Sequence, residues 1–187
     1  SAGEYFIQRQ KEGMRIVQAP VSFANRYTVE VDARWDNAYI GYEYGLIFGQ
    51  TGFPYPTYRF GVHPINQQYT LRYNPGNGWQ CITQPCWVDP SIPNSINPGS
   101  TSNHLKVECD RETVSLYINN SLLWQDSSYS CRGQVGLFAQ SSPTTPNALA
   151  YFDNFQVSCP FGTSSLNIIE SNMSPVSTMS MDFEFDE

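Results

Sequence analysis

No lysine or arginine follows Arg132 in this chain of 187 residues. Proteins that hold a nucleic-acid backbone need a basic stripe to neutralise its phosphates, and this sequence has none. Ten basic residues face 17 acidic ones, for a net charge of −7. Beyond Cys159, five acids (Glu170, Asp182, Glu184, Asp186 and Glu187) have no basic neighbour, and without them the body carries −2. The acidity is therefore mostly a property of the C-terminal stretch. Charged residues make up only 14% of the chain, which is low for a cytosolic domain. No apolar run approaches the roughly 20 residues of a membrane span. No long segment keeps a helical period. No Gly-x-Ser-x-Gly appears, so the most readable signature of a serine hydrolase is missing.

Cysteine is scarce but informative. The five are Cys81, Cys86, Cys109, Cys131 and Cys159, with no Cys-x-x-Cys pair among them. The two histidines, His63 and His104, lie far apart in sequence, so the pattern does not suggest zinc. Disulfides in an oxidising compartment fit better, and place the protein outside the cell or on its surface. Cys81 and Cys86 are expected to pair across "CITQPC", where Pro85 favours a turn. Cys109 and Cys131 border strands of one meander and form the second expected pair, which leaves Cys159 unpaired or bonded to another chain.

Aromatic residues are plentiful, with 12 Tyr and 11 Phe. Short strands with turn residues between them account for nearly the whole sequence. In "RYTVEVDARW", Tyr27, Val29, Val31, Ala33 and Trp35 share one face, and Thr28, Glu30, Asp32 and Arg34 the other. "YEYGLIFG", "TYRFGV" and "QQYTLRYN" follow, then a turn at "NPGNGW". Residues 83–103 are rich in Pro, Ser and Asn and suggest a long loop. "HLKVEC", "TVSLYIN" and "LLWQ" form a meander with a tight turn at "INNSL". "QVGLFAQ" and "LAYFDNFQV" close the body. So many closely spaced strands imply an all-β, two-sheet antiparallel sandwich.

The order "YGLIF", "YRFGV", "SNHLKVECDRETVSLYINNSLL", "GQVGLFAQ", "YFDNFQV" resembles the concanavalin A-like jelly rolls. This is the laminin-G-like and glycoside-hydrolase-16-like group found in many secreted bacterial proteins. The resemblance spans roughly residues 4–158. It implies a jelly-roll domain, taken as residues 1–159; the composition of 160–187 suggests a linker plus a C-terminal strand extension. It does not imply one function, because lectins, hydrolases and adhesion modules share this fold. Such domains usually open with a strand of acid-acid-Phe pattern ahead of the "GEYFI"-like strand. The sequence given starts almost directly at "GEYFI".

Each candidate site has a structural alternative. Family 16 hydrolases carry Glu-x-Asp-x-Glu on one strand, and retaining enzymes need two carboxyls about 5 Å apart. In "EVDAR", Glu30 and Asp32 fit the start of that motif, but Arg34 stands where the second Glu belongs. A solvated strand face explains them, and no catalytic residue or glycosidase activity is expected. Many of these folds hold a structural Ca²⁺ through oxygen ligands near the last strand. Asp153 and Asn154 are candidates for that ion. The alternative is a β-bulge that lets both Phe152 and Phe155 face the core, with Asn154 bonding local backbone. No other cofactor is suggested. Sugars stack on aromatic faces, and Tyr55, Trp79 and Trp87 are candidate glycan platforms, with Asn77 and Gln80 as polar partners. The alternative is that these rings cover the sandwich ends or a subunit contact. Asn119 and Asn172 lie in N-glycosylation sequons, and the turn at Asn119 is expected to be exposed.

The end of the chain, "STMSMDFEFDE", has a period of two. Met179, Met181, Phe183 and Phe185 alternate with Ser180, Asp182 and Glu184, as in a half-buried strand. This pattern leads to the first functional expectation, a structural subunit whose C-terminal strand completes the sheet of another copy. The partner is then the protein itself, polymerised into an extracellular filament by donor-strand exchange. The acidic face of that strand is expected near Arg9, Lys11 and Arg15. The other expectation is a secreted carbohydrate-binding, lectin-like module with glycans as partners.

Overall fold

The computed structural model describes residues 5–11, 13–51, 57–144 and 147–159. These residues form strands β1 (Tyr5–Arg9), β2 (Gly13–Phe23), β3 (Arg26–Trp35), β4 (Glu43–Gln50), β5 (Thr57–His63) and β6 (Gln68–Asn74). They continue with β7 (Gln80–Cys81), β8 (Asn103–Asp110), β9 (Thr113–Ile118), β10 (Ser121–Asp126), β11 (Gly133–Ser141) and β12 (Ala148–Ser158). Two antiparallel sheets of six strands result, ordered β1-β12-β3-β8-β9-β10 and β2-β11-β4-β5-β6-β7. Among the described residues, the last two strands are not at the edges. β12 lies between β1 and β3, and β11 lies between β2 and β4.

The period-two pattern sets which side chains meet between the sheets. In β3, the five residues from Tyr27 to Trp35 on one face are buried, and those between them are half-exposed. Val29 and Val31 each contribute roughly 1.5–3 kcal/mol by leaving water. They pack with Leu105, Val107, Leu116 and Ile118 of the first sheet and with Leu46, Phe60, Leu71 and Val135 of the second. Trp35 meets Tyr44 edge-to-face across the core, with ring centroids 5.3 Å apart.

Two local features follow from sequence. Asn119 and Asn120 both have positive φ, 49° and 67°, as a two-residue turn between twisted strands requires, and Ile118 pairs with Ser121 across it. β12 slips register against β3 between Asp153 and Gln156, with Asn154 at φ 54°. This bulge is what allows Phe152 and Phe155 both to face the core. The Asn154 amide does not bond local backbone as expected; its Nδ2 donates to Asp32 Oδ2 on the next strand at 2.7 Å.

The stretch 83–103 is a loop held at defined points. Val88 forms a bridge with Tyr69, and Ile96 is buried. Asn103, fully buried, gathers the end of the loop. Its Oδ1 accepts from Asn97 N at 2.7 Å and Asn119 Nδ2 at 2.9 Å, and its Nδ2 donates to Tyr44 OH at 3.0 Å. Burial raises the Tyr44 pKa, so this hydroxyl stays neutral.

Candidate functional site

Every residue of β4 and β5 is buried, so both faces of these strands are covered. Tyr44, Leu46, Phe48, Tyr58, Phe60 and Val62 enter the core. The other face carries Glu43, Gly45 and Ile47 on β4, and Arg59, Gly61 and His63 on β5. Gly45 and Gly61 are directly opposed. With no side chains there, Glu43 reaches across the strip to Arg59, Oε1 to Nη2 at 2.6 Å, with the two side chains 0% and 2% exposed. A Cβ on Gly61 would lie 2.6 Å from Glu43 Oε2, so this glycine makes room for the ion pair. Arg59 Nη1 also donates to Gln140 Oε1 at 3.0 Å and lies 3.1 Å from the Met14 sulfur. Its guanidinium sits 4.8 Å from the Trp79 ring centroid and 5.2 Å from that of Phe138. Burial pushes the Arg59 pKa down to about 10, against the pull of Glu43, so the group stays cationic at neutral pH.

The segment from Trp79 to Val88 is fastened along β6. Gln80 and Cys81 pair with Tyr73 and Arg72. Val88 exchanges both backbone hydrogen bonds with Tyr69, at 3.0 and 2.9 Å. Between these anchors the Cys81–Cys86 disulfide closes the loop, and Thr83 Oγ1 donates to the Cys86 carbonyl at 2.8 Å. Two half-buried indoles are thereby carried onto the face that holds Arg59 and Arg72. The Arg72 guanidinium lies 5.3 Å from the Trp87 ring centroid. Trp87 Nε1 donates to Tyr42 OH at 3.0 Å. Tyr42, His63 and Trp87 meet edge-to-face at 5.0 to 5.7 Å. Burial lowers the His63 pKa, and its Nδ1 accepts from Asn66 N at 3.3 Å, which puts the proton of the neutral ring on Nε2.

Of the expected glycan platforms, the structure brings Trp79 and Trp87 to one face, with Asn77 and Gln80 exposed beside them. Tyr55 lies outside the described residues. Both rings lie over arginines of a sheet face, Trp79 over Arg59 and Trp87 over Arg72. Glu43, Arg59, Gly61, Arg72, Tyr42 and His63 were not among the expected site residues. Their signal is a Glu and an Arg inside strands that are otherwise apolar on both faces.

Glu30 and Asp32 project from the outer face of the first sheet. His104 stands between them, with Nδ1 2.8 Å from Asp32 Oδ1 and Nε2 3.5 Å from Glu30 Oε2. Gln156 Nε2 donates to Glu30 Oε1. Asp153 Oδ1 accepts from Asn154 N at 2.8 Å. Among the described residues no group of three or more His, Cys, Asp and Glu side chains is arranged to hold a metal. The structure links Cys81 to Cys86 and Cys109 to Cys131, with Cys159 as a free thiol.

Two expectations need correction. Asn119 is half-buried and not an open acceptor. Its Nδ2, the atom an N-glycan would take, donates to Ser95 O and Asn103 Oδ1, each at 2.9 Å. Arg9 is buried rather than displayed beside Lys11 and Arg15, so it does not offer an outward charge to an acidic strand. Asn172 and the strand residues Met179, Met181, Phe183 and Phe185 lie outside the described residues.

No family model and no curated protein matches the sequence. Solved structures do match. The carbohydrate-binding module CBM66 from Bacillus subtilis superposes with a TM-score of 0.63 at 19% identity, over 80% of this chain and 84% of that one. This is a concanavalin A-like jelly roll. An alginate lyase of polysaccharide lyase family 7 shares the concanavalin A-like fold at TM-score 0.53 and 10% identity, over 74% of this chain and 65% of that one. A GH43 protein from Bacillus licheniformis aligns at TM-score 0.50 and 12% identity, over 72% of this chain and 28% of that one. At these identities the concanavalin A-like architecture is what is shared. Among the described residues no helix is long and apolar enough to cross a membrane.

Proposed function

We propose that this chain is an extracellular, non-enzymatic carbohydrate-binding module whose ligand lies on the outer face of the second sheet, against Trp79 and Trp87. The observation behind this reading is the pair of indoles held on one face by a disulfide-closed loop. Flat aromatic surfaces stack on the C–H faces of sugar rings, and rigid ones do so at low entropic cost. The Glu43 carboxylate is fully buried and occupied by Arg59, which makes it a support for Trp79. The disulfides favour an oxidising, extracellular setting. Two of the structural neighbours, a carbohydrate-binding module and an alginate lyase, act on carbohydrates, which is compatible with a glycan ligand. A glycan array tests the reading. Hits that weaken at least tenfold in both Trp79→Ala and Trp87→Ala support it, and hits unaffected by either substitution, or none, oppose it.

Assembly through residues 178–187 is the second reading. One observation favours it: among the described residues β1 is an edge strand, and its Phe6 is 64% exposed. A donor strand would cover that edge, and its four apolar side chains would each gain roughly 1.5–3 kcal/mol from burial. Deleting 178–187 and comparing sedimentation and electron micrographs with the full chain decides this. Polymers formed by the truncated protein, or a full-length chain that stays monomeric at high concentration, would end it.

A further inference from the structure

The same aromatic face carries an uneven charge. Arg59 and Arg72 are direct cross-strand partners on β5 and β6. Glu43 is spent on Arg59 and is fully buried. Asp89, exposed at the rim, accepts from Gln68 Nε2 at 3.0 Å. Among the described residues, Arg72 has no carboxylate partner; its Nε donates to Thr70 Oγ1 at 3.4 Å. By contrast, Arg26 and Lys106 each hold a carboxylate oxygen at 2.7 Å. Arg72 is half-buried, next to another cation, and laid along the Trp87 ring. A partly desolvated guanidinium beside a like charge gains from an anion that comes with the ligand.

We propose that this face binds an acidic sugar, with the carboxylate of a uronate-type residue held by the Arg72 guanidinium while the sugar ring stacks on an adjacent indole. The proposal rests on the glycan-binding reading above and adds the ligand class to it. The guanidinium is suited to the role because its planar fork matches a carboxylate with two parallel N–H···O bonds. Its position is set by Cys81 across the strand pair and by Trp87 beside it, so little freedom is lost on binding. The Glu43 carboxylate does not repel such a ligand, because its charge is compensated by Arg59 at 2.6 Å.

Affinity electrophoresis of the full chain at pH 7 in gels containing polysaccharide tests this. The chain has a net charge of −7, so general attraction to a polyanion is absent and any retention must be local. Polygalacturonate or alginate should retard the protein, and fully methyl-esterified pectin, with the polygalacturonate backbone but no charge, should not. Arg72→Gln should weaken retention roughly 10- to 100-fold, the range for losing a charge-assisted hydrogen bond pair. Arg72→Lys should recover part of it, and a thermal melt like that of the parent protein should show that Arg72→Gln is folded. Retention by methyl-esterified pectin or laminarin that needs Trp79 and Trp87 but not Arg72 overturns the acidic-sugar inference and leaves the glycan-binding reading standing. Retention by no polysaccharide overturns both. Retention by the acidic polymers that survives Arg72→Gln overturns the assignment of Arg72.

Discussion

Glu43→Gln is the substitution with the largest expected effect on stability. It keeps shape and volume and removes one charge. Arg59 then remains with 2% of its side chain exposed, among Met14, Gln140, Trp79 and Phe138, with no anion to balance it. Removing one partner of a buried pair costs about 3–5 kcal/mol, a large share of the 5–15 kcal/mol that usually holds a domain folded. For a domain of this size that corresponds to a fall in Tm of roughly 6–20 °C. Replacing both partners, Glu43→Gln with Arg59→Met, removes the buried charge altogether. Methionine can fill the space beneath Trp79, so the double variant should lie within about 1–2 kcal/mol of the parent. Equilibrium urea unfolding of the parent, the two single variants and the double variant completes the cycle, given common m-values. Additive costs would show that the two side chains act independently. A Glu43→Gln cost below about 1 kcal/mol would show that Arg59 reaches water or another anion, and either result would refute the account of this site.

Other perturbations follow. Because the folded-state pKa of His63 is lowered from 6.5, the unfolded chain takes up its proton first as pH falls. Its contribution to stability is therefore full above about pH 6.5 and declines below it, until the folded-state pKa is passed. Urea midpoints between pH 8 and 5 should show this, with a flatter profile in His63→Asn. Asn103→Ala should unpair Tyr44 OH and the Asn97 backbone at a cost of about 1–3 kcal/mol for each buried group, read as a lower Tm together with faster hydrogen exchange in residues 95–103. Peptide mapping without reduction should find Cys81–Cys86 and Cys109–Cys131, with Cys159 alkylated in denaturant; a Cys131–Cys159 link would refute the second pair.

The sequence was most legible where one face of a strand is wet. β3 alternates so regularly that its inward residues can be named without coordinates, and the spacing of Phe152 and Phe155 exposes the bulge of β12. β4 and β5 hide their geometry for the opposite reason. Both faces are covered, so Glu43 and Arg59 read as interruptions in apolar runs and not as a pair joined across two glycines. The contact depends on strand register and on a covering loop that lies about twenty residues further along the chain from Arg59, which no local pattern encodes. Trp79 and Trp87 stand out by residue type as candidate platforms, but the arginines beneath them do not, since the pairing of β5 with β6 is what brings them there.

The positions of β11 and β12 bear on how the protein is made. β3 waits for β12 on one side, and β4 waits for β11, so neither sheet has its interior strands until residues 133–158 have left the ribosome. Before then the chain can form the β4-β5-β6 and β8-β9-β10 meanders, each with an open edge. Completing the sheets requires first and last strands to meet across most of the chain, a closure typical of folds that assemble in milliseconds to seconds. Until then the two meanders cannot close into a sandwich, so the segment up to β10 stays open along both sheets and is easier to unfold and thread than the completed domain.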